Sequence, residues 1–265
     1  MKKLLIIAVT LFFGILSVYG QGDFNIEPGI YFRNERSFAI KLNTNGWGLN
    51  YMEGKRINYL NKKLLELEIS LLKDPKEVKM GNPVYDTPGN FIFGKLNSVF
   101  LLKGGIGRQR EIYKKADLGG VAVRYFYTGG PVIALYKPIY YKIINWLSPY
   151  EYEINEEKFD VKKHDATMIY GKSAFTKGLD ETKILPGLYV KGGFNFEYSK
   201  QDKVLHAIEL GSQIELFPKK MPIMATSSNK AIFLSLFASY RFGVVISPYD
   251  PESKKVSNIF SRKRK

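Results

Sequence analysis

The sequence predicts an all-β protein, an antiparallel transmembrane β-barrel of about eight strands with long extracellular loops. Three observations lead there. The chain opens with an export signal; it then passes through eight segments in which apolar and polar residues alternate; and after the signal it has no run of about 18 apolar residues that could span a bilayer as a helix.

The signal has Lys2 and Lys3 in front, an apolar run from Leu4 to Val18, and Val18-Tyr19-Gly20 before Gln21, with the small residues that a signal peptidase reads. The run of about 15 residues falls short of the ~20 that a spanning helix needs, so residues 1–20 read as a cleaved signal rather than an anchor. Residues 21–247 then form the barrel domain and 248–265 a basic C-terminal tail. Cysteine is absent. That removes disulfides, thiolate metal sites, cysteine nucleophiles and the lipid-bearing cysteine of a lipoprotein. The formal charge is +15, or +13 without Lys2 and Lys3. Export argues against nucleic acid as the partner of so basic a chain and leaves the phosphate-rich headgroups of outer-membrane lipid and lipopolysaccharide.

In the first hairpin Phe38, Ile40 and Leu42 alternate with Ala39, Lys41 and Asn43. Asn45-Gly46 offers the positive-φ residues of a tight turn, and Trp47, Leu49 and Tyr51 then alternate with Gly48, Asn50 and Met52. The third segment sets Leu65, Leu67, Ile69 and Leu71 against Glu66, Glu68 and Ser70. A helix is the competing reading there, but a 3.6-residue period would wind the leucines around most of the cylinder and take the glutamates with them. The fourth segment, Leu96 to Lys103, is the least regular. In the fifth, Val121, Val123, Tyr125 and Tyr127 oppose Ala122, Arg124, Phe126 and Thr128. The sixth sets Leu188, Val190, Phe194 and Phe196 against Tyr189, Lys191, Asn195 and Glu197; the seventh sets His206, Ile208, Leu210, Ile214 and Leu216 against Ala207, Glu209, Gln213 and Glu215. The last sets Leu234, Leu236, Tyr240 and Phe242 against Phe233, Ser235, Phe237, Ser239 and Arg241.

An outer-membrane barrel with a periplasmic N-terminus has its longer connections after odd-numbered strands. The stretches after the third and fifth segments, roughly 73–94 and 129–185, are long, and the one after the sixth is short; the first hairpin is an exception. A further hairpin arm from Pro131 to Tyr141 would make the barrel one strand pair larger. A soluble sandwich or lipocalin-like barrel also alternates, with charge outward instead of inward. Trp47, Tyr125, Tyr127, Tyr198, Tyr240 and Phe242, near strand ends, suit an interfacial girdle and favour the membrane reading.

On the polar face five acids, Glu66, Glu68, Glu197, Glu209 and Glu215, balance five bases, Lys41, Lys103, Arg124, Lys191 and Arg241. An eight-stranded barrel is just wide enough for its own side chains, so these charges are expected to pair and plug the interior. No catalytic, cofactor-binding or metal-binding residue is assigned. The only histidines are His164, beside Asp165 in the longest loop, and His206, on the apolar face near a short turn. His164-Asp165 is the one pair on which a rim hydrolase of lipid or peptide could rest. A lipid deacylase would want a serine beside His206, and Ser212 lies roughly 20 Å along the strand. Gly104-Gly105-Ile106-Gly107 and Gly119-Gly120 lack a following helix that would make them phosphate loops, and read as turns or kinks. Tyr136, Tyr140, Tyr141, Trp146, Tyr150 and Tyr152 give the long loop a composition suited to stacking on sugars, resting at the lipid interface or packing over the barrel mouth. The tail carries Lys254, Lys255, Arg262, Lys263, Arg264 and Lys265, a solvated end or a hold for an anionic partner.

The stretch Leu185 to Tyr198 (LPGLYVKGGFNFEY), then Glu209 to Ile223 with its Phe217-Pro218 turn, and the closing Leu236 to Gly243 resemble an uncharacterised outer-membrane β-barrel protein family of Bacteroidota. The signal ending at Gly20-Gln21 is similar too. The resemblance covers mostly the C-terminal third. It implies a fold and a location in the cell outer membrane, and carries over no catalytic residue. Unlike many such barrels, this chain continues past Phe242 into the basic tail. The expected role is structural, or docking with an envelope protein partner, without an enzymatic reaction.

Overall fold

The computed structural model describes residues 34–246, except 86–88, 117–118, 201–202 and 226–228. The expected signal, the expected start of the barrel domain at residue 21 and the basic tail 248–265 lie outside the described residues. Within them the strands are β1 Asn34–Asn43, β2 Gly46–Arg56, β3 Asn61–Leu72, β4 Asn97–Tyr113, β5 Ala122–Pro138, β6 Tyr140–Ser148, β7 Glu151–Lys158, β8 Ile169–Lys172, β9 Lys183–Glu197, β10 Val204–Leu216 and β11 Ile232–Ile246. Eight of them close a barrel in the order β1-β11-β10-β9-β5-β4-β3-β2, and the other three form a separate sheet in the order β7-β6-β8. Neighbours are antiparallel throughout, from β1 on β11 (Phe38 opposite Phe242) to β5 on β9 (Thr128 opposite Lys191).

Each of the eight alternating segments is a barrel strand. The leucine–glutamate segment is β3, with Leu67 opposite Tyr51 on one side and Gly104 on the other, and the helical alternative falls. Three expectations need correction. The fourth segment runs on to Tyr113, so Gly104, Gly105 and Gly107 lie within a strand and not at a turn. Gly105 faces inward, and a Cβ there would stand 2.2 Å from the Tyr189 hydroxyl; the missing side chain makes room for that ring in the lumen. Residues 131–138 continue β5, so no extra strand pair is added. In the first turn only Gly46 has a positive φ, 150°, and its Cβ position would lie 1.9 Å from the Leu71 carbonyl; Asn45 does not need the left-handed region.

The barrel is apolar outside and charged inside. Leu67 is 56% exposed while Glu66 and Glu68 on either side are 0% and 2% exposed. Ile40, Leu49, Ile69, Leu210, Leu234 and Leu236 follow Leu67, and Lys41, Lys103, Lys191, Glu215 and Arg241 follow the glutamates. Water would impose the opposite arrangement, because exposed leucine and buried charge both raise the free energy of a soluble protein. The soluble-barrel alternative is thereby excluded as the design of this sheet.

The ends differ as well. At one end the chain enters β1 and leaves β11, and the connections 57–60, 114–121 and 198–203 are short. At the other end lie the tight turn 44–45 and the connections 73–96, 139–182 and 217–231, the second of which carries β6 to β8. There the lumen is capped by an apolar cluster. Leu72, Val99, Leu101, Val132, Ala134, Leu185, Tyr189 and Phe233 point in from the strands and meet Ile92, Met221, Ile223 and Met224 from the connections.

Candidate functional site

All ten charged residues assigned to the lumen from alternation are buried and paired. Glu68 accepts from Lys41 at 2.5 Å and from Lys103 at 3.0 Å, and Lys103 also donates to Glu215 at 2.7 Å. Lys191 pairs with Glu66 and lies 3.8 Å from Glu68. Arg241 sends Nε to Glu209 at 2.7 Å and Nη2 to its second oxygen at 2.9 Å, while Nη1 reaches Ser37 at 3.0 Å. Arg124 pairs with Glu197. Near the end where the chain enters, Glu35 pairs with Lys62 and stands 3.9 Å from Arg124. This pair was missed because the strands were expected to begin at Phe38 and Leu65. Extending the alternation by two inward positions on each strand, Glu35-Ser37-Ala39 and Lys62-Leu64-Glu66, would have found it. Such ion pairs persist out of water only when geometry and further hydrogen bonds offset the desolvation of both partners; Arg241 and Glu209 come nearest to that, whereas Glu66 Oε2, Glu215 Oε2 and Arg124 Nε have no hydrogen-bond partner. The cleft left among Glu35, Gln109, Arg124 and Arg241 is about 10 Å³, no more than one water. The lumen is thus filled twice, by charge and by the apolar cap.

The feature that projects beyond the barrel is the sheet β7-β6-β8, which lies in what was expected to be a long loop. One face of β6 buries Tyr141 and Ile143 against Phe91, Phe159 and Ile169. The Tyr141 hydroxyl donates to the Ile92 carbonyl at 2.8 Å, and burial pushes its phenol up to about 12. Asn82 Nδ2 donates to the Thr167 and Ile169 carbonyls at 2.8 and 2.9 Å, and Leu96 N donates to the Ile223 carbonyl at 2.9 Å. The three long connections are therefore knitted into one cap. Sequence reasoning missed this sheet because β7 (EYEINEEK) has few apolar residues to alternate, and its pairing with β6 supplies the order.

At the tip of the β6–β7 hairpin the burial pattern reverses. Trp146 and Tyr152 are directly opposite each other, with ring centroids 5.4 Å apart, and Tyr85 comes within 6.0 Å of Trp146. Trp146, Leu147, Tyr150 and Tyr152 are all exposed, Tyr150 almost completely. Glu151 and Glu153 flank them. At the base, Glu181 accepts from Lys158 and from Tyr140, and these donors hold its carboxyl below the usual carboxylate range. Of the loop aromatics singled out from composition, Tyr141 is core, Trp146, Tyr150 and Tyr152 form the tip, and Tyr136 packs beside the apolar cap.

The two histidines lie apart, each with its own partners. His164 is buried against Phe159; Nδ1 accepts from Asp160 N at 3.1 Å, which leaves the proton on Nε2, 3.1 Å from Glu157. Asp165 instead accepts from Ala166 N and caps a short 3-10 turn, so the sequence neighbours do not act as a dyad. His206 stacks between Tyr198 and Tyr240 and lies 2.9 Å from the Tyr240 hydroxyl. Ser212 faces Leu236 and Gly192 farther along the ladder. Tyr198, His206, Tyr240, Phe242, Phe38 and Tyr51 make a continuous aromatic arc around the outer wall at the short-turn end. Three of the expected girdle residues lie in it, and Trp47 lies at the opposite end. Among the described residues, no group of three or more acidic or histidine side chains could hold a metal.

No protein-family model and no curated protein matches the chain. Among solved structures, it is similar to Neisserial surface protein A, at 11% identity over 80% of this chain and 96% of that one, with a TM-score of 0.35. It is also similar to Ail, the attachment invasion locus protein of Yersinia pestis, at 8% identity over 82% of this chain and 100% of that one, with a TM-score of 0.38. A second structure of Ail, in complex with the heparin analogue sucrose octasulfate, gives a TM-score of 0.37. The fold assignment rests on this chain's own strand register, and no reaction is indicated.

Proposed function

We propose that this chain is an outer-membrane β-barrel protein of the cell envelope, of the kind its sequence resembles in Bacteroidota, in which a sealed barrel anchors an extracellular docking sheet. The observation that carries this is the doubly filled lumen beneath a folded, aromatic-tipped sheet. A barrel that offers no passage leaves its projecting element as the part able to act. The apolar outer wall and its aromatic arc suit lipid, and the end with short turns suits the periplasmic side. Lys219, Lys220 and Lys230 are exposed on the connection directly beyond the outward Leu216 and Ile232, a placement suited to lipopolysaccharide phosphates. The tail 248–265 is then periplasmic. A hydrolytic reading would depend on His164, which is engaged at both nitrogens.

The tip is the docking contact, since half-exposed Trp and Tyr rings supply large contact area at low conformational cost. A photo-crosslinking amino acid placed at Tyr152 should capture an envelope partner in intact cells. Trp146→Ala should lower that adduct roughly tenfold or more without changing barrel formation, as loss of a central aromatic anchor does. An adduct indifferent to Trp146→Ala, or no adduct at all, would remove the tip from the proposal.

A further inference from the structure

The outer wall is not uniformly convex. Across β11, β1, β2, β3 and β4 it carries a groove of about 620 Å³ lined by Phe38, Ile40, Leu49, Leu67, Leu102 and Phe242. Gly104, opposite Leu67, leaves room for the Leu67 side chain, whose Cδ2 lies 3.7 Å from where a Gly104 Cβ would stand. The groove has a polar foot. Along the outward face of the β1–β2 ladder the opposed pairs run Arg36–Glu53, Phe38–Tyr51, Ile40–Leu49 and Leu42–Trp47, from ionic through aromatic to aliphatic. Arg36 Nε lies 2.8 Å from Glu53, with both side chains more than a third exposed, and the Tyr51 hydroxyl donates to Glu53 at 2.9 Å. An ion pair on a lipid-facing wall is out of place in hydrocarbon. It is in place where headgroups begin, about 7 Å below the aromatic rung, which is one ladder repeat.

We propose that this groove seats one phospholipid of the periplasmic leaflet, with its acyl chains along the apolar wall and a phosphoethanolamine headgroup on Arg36 and Glu53. The inference rests on the membrane placement proposed above. The charge pattern selects the ligand: a guanidinium attracts phosphate, and Glu53, oriented by Tyr51, accepts hydrogen bonds from a primary ammonium. A quaternary choline has no hydrogen to give, so phosphatidylcholine should bind less well.

The test uses the full chain reconstituted in vesicles of equal phosphatidylethanolamine and phosphatidylcholine, released into detergent and examined by native mass spectrometry. Wild type should retain one phosphatidylethanolamine. Both the Arg36→Gln/Glu53→Gln variant and the groove-filling Leu67→Trp variant should retain about tenfold less, the loss expected for a charge-assisted contact. Equal retention of the two lipids by wild type, or unchanged retention in both variants, overturns the proposal. So does a second copy of the chain retained in place of lipid, seen as a dimer that Leu67→Trp dissociates. Heat-dependent gel mobility of each sample separates the two levels. If wild type never forms a closed barrel in the vesicles, the membrane placement fails together with this site; a shifted band without the lipid defeats the site alone.

Discussion

Glu68 shows how single residues hold the lumen. It accepts from Lys41 and Lys103, and Lys191 stands 3.8 Å away, so one carboxylate neutralises the centre of a cluster of cations. Removing it leaves Lys41 buried without a carboxylate, since Lys103 keeps Glu215 and Lys191 keeps Glu66; breaking such a pair costs about 3–5 kcal/mol, whereas the pair as a whole adds little over a well-packed apolar substitute. Glu68→Ala should therefore lower the unfolding free energy of the reconstituted barrel in denaturant by that order, and Glu68→Ala/Lys41→Met, which removes the orphaned cation as well, should recover part of the loss. Equal effects from the single and double variants would mean that the network is not coupled as the distances imply. These residues were readable from sequence because a two-residue period assigns a face to every position. Which acid meets which base was not readable, because partners such as Lys103 on β4 and Glu215 on β10 meet across the lumen of the closed barrel, not by sequence proximity.

At the scale of elements, the contrast between β3 and β7 explains what could be foreseen. β3 alternates leucine with glutamate and had to be a strand with two unlike faces. β7 carries five acidic or basic residues among its eight, and only its register on β6, Ile144 opposite Ile154 and Trp146 opposite Tyr152, makes it a strand. The outer sheet depends on the buried core around Tyr141. The folded phenol ionises at about 12, above its ordinary 10, because the charged form would lose hydration among Phe91, Ile143 and Phe159. The folded value is the higher, so the contribution of Tyr141 is intact below about pH 10 and is lost as pH rises toward 12. Amide exchange over residues 140–172 should accelerate between about pH 10 and pH 12 beyond its intrinsic pH dependence in wild type. Tyr141→Phe should lack that extra acceleration, and should be weaker at neutral pH by about 1 kcal/mol for the lost hydrogen bond to Ile92. Identical pH dependence in the two proteins would contradict the role given to this phenol.

For the whole molecule, alternation and charge balance agree with one architecture, an inverted barrel whose outer wall is apolar and whose interior is charged. The same agreement explains the limit of the sequence. Alternation separates two faces but does not say which is inside, and the answer came from closure, which buries Glu66 and leaves Leu67 facing out. Nor does alternation announce the cap, because Ile92, Met221, Ile223 and Met224 come from irregular connections with no period to read. The most direct measurement is membrane fractionation of the native host, followed by gel mobility of the outer-membrane sample with and without heating. A band in that fraction whose mobility changes on heating is the expected result, since a closed barrel resists detergent until heated. A soluble periplasmic protein with no mobility shift would contradict the membrane barrel and everything built upon it.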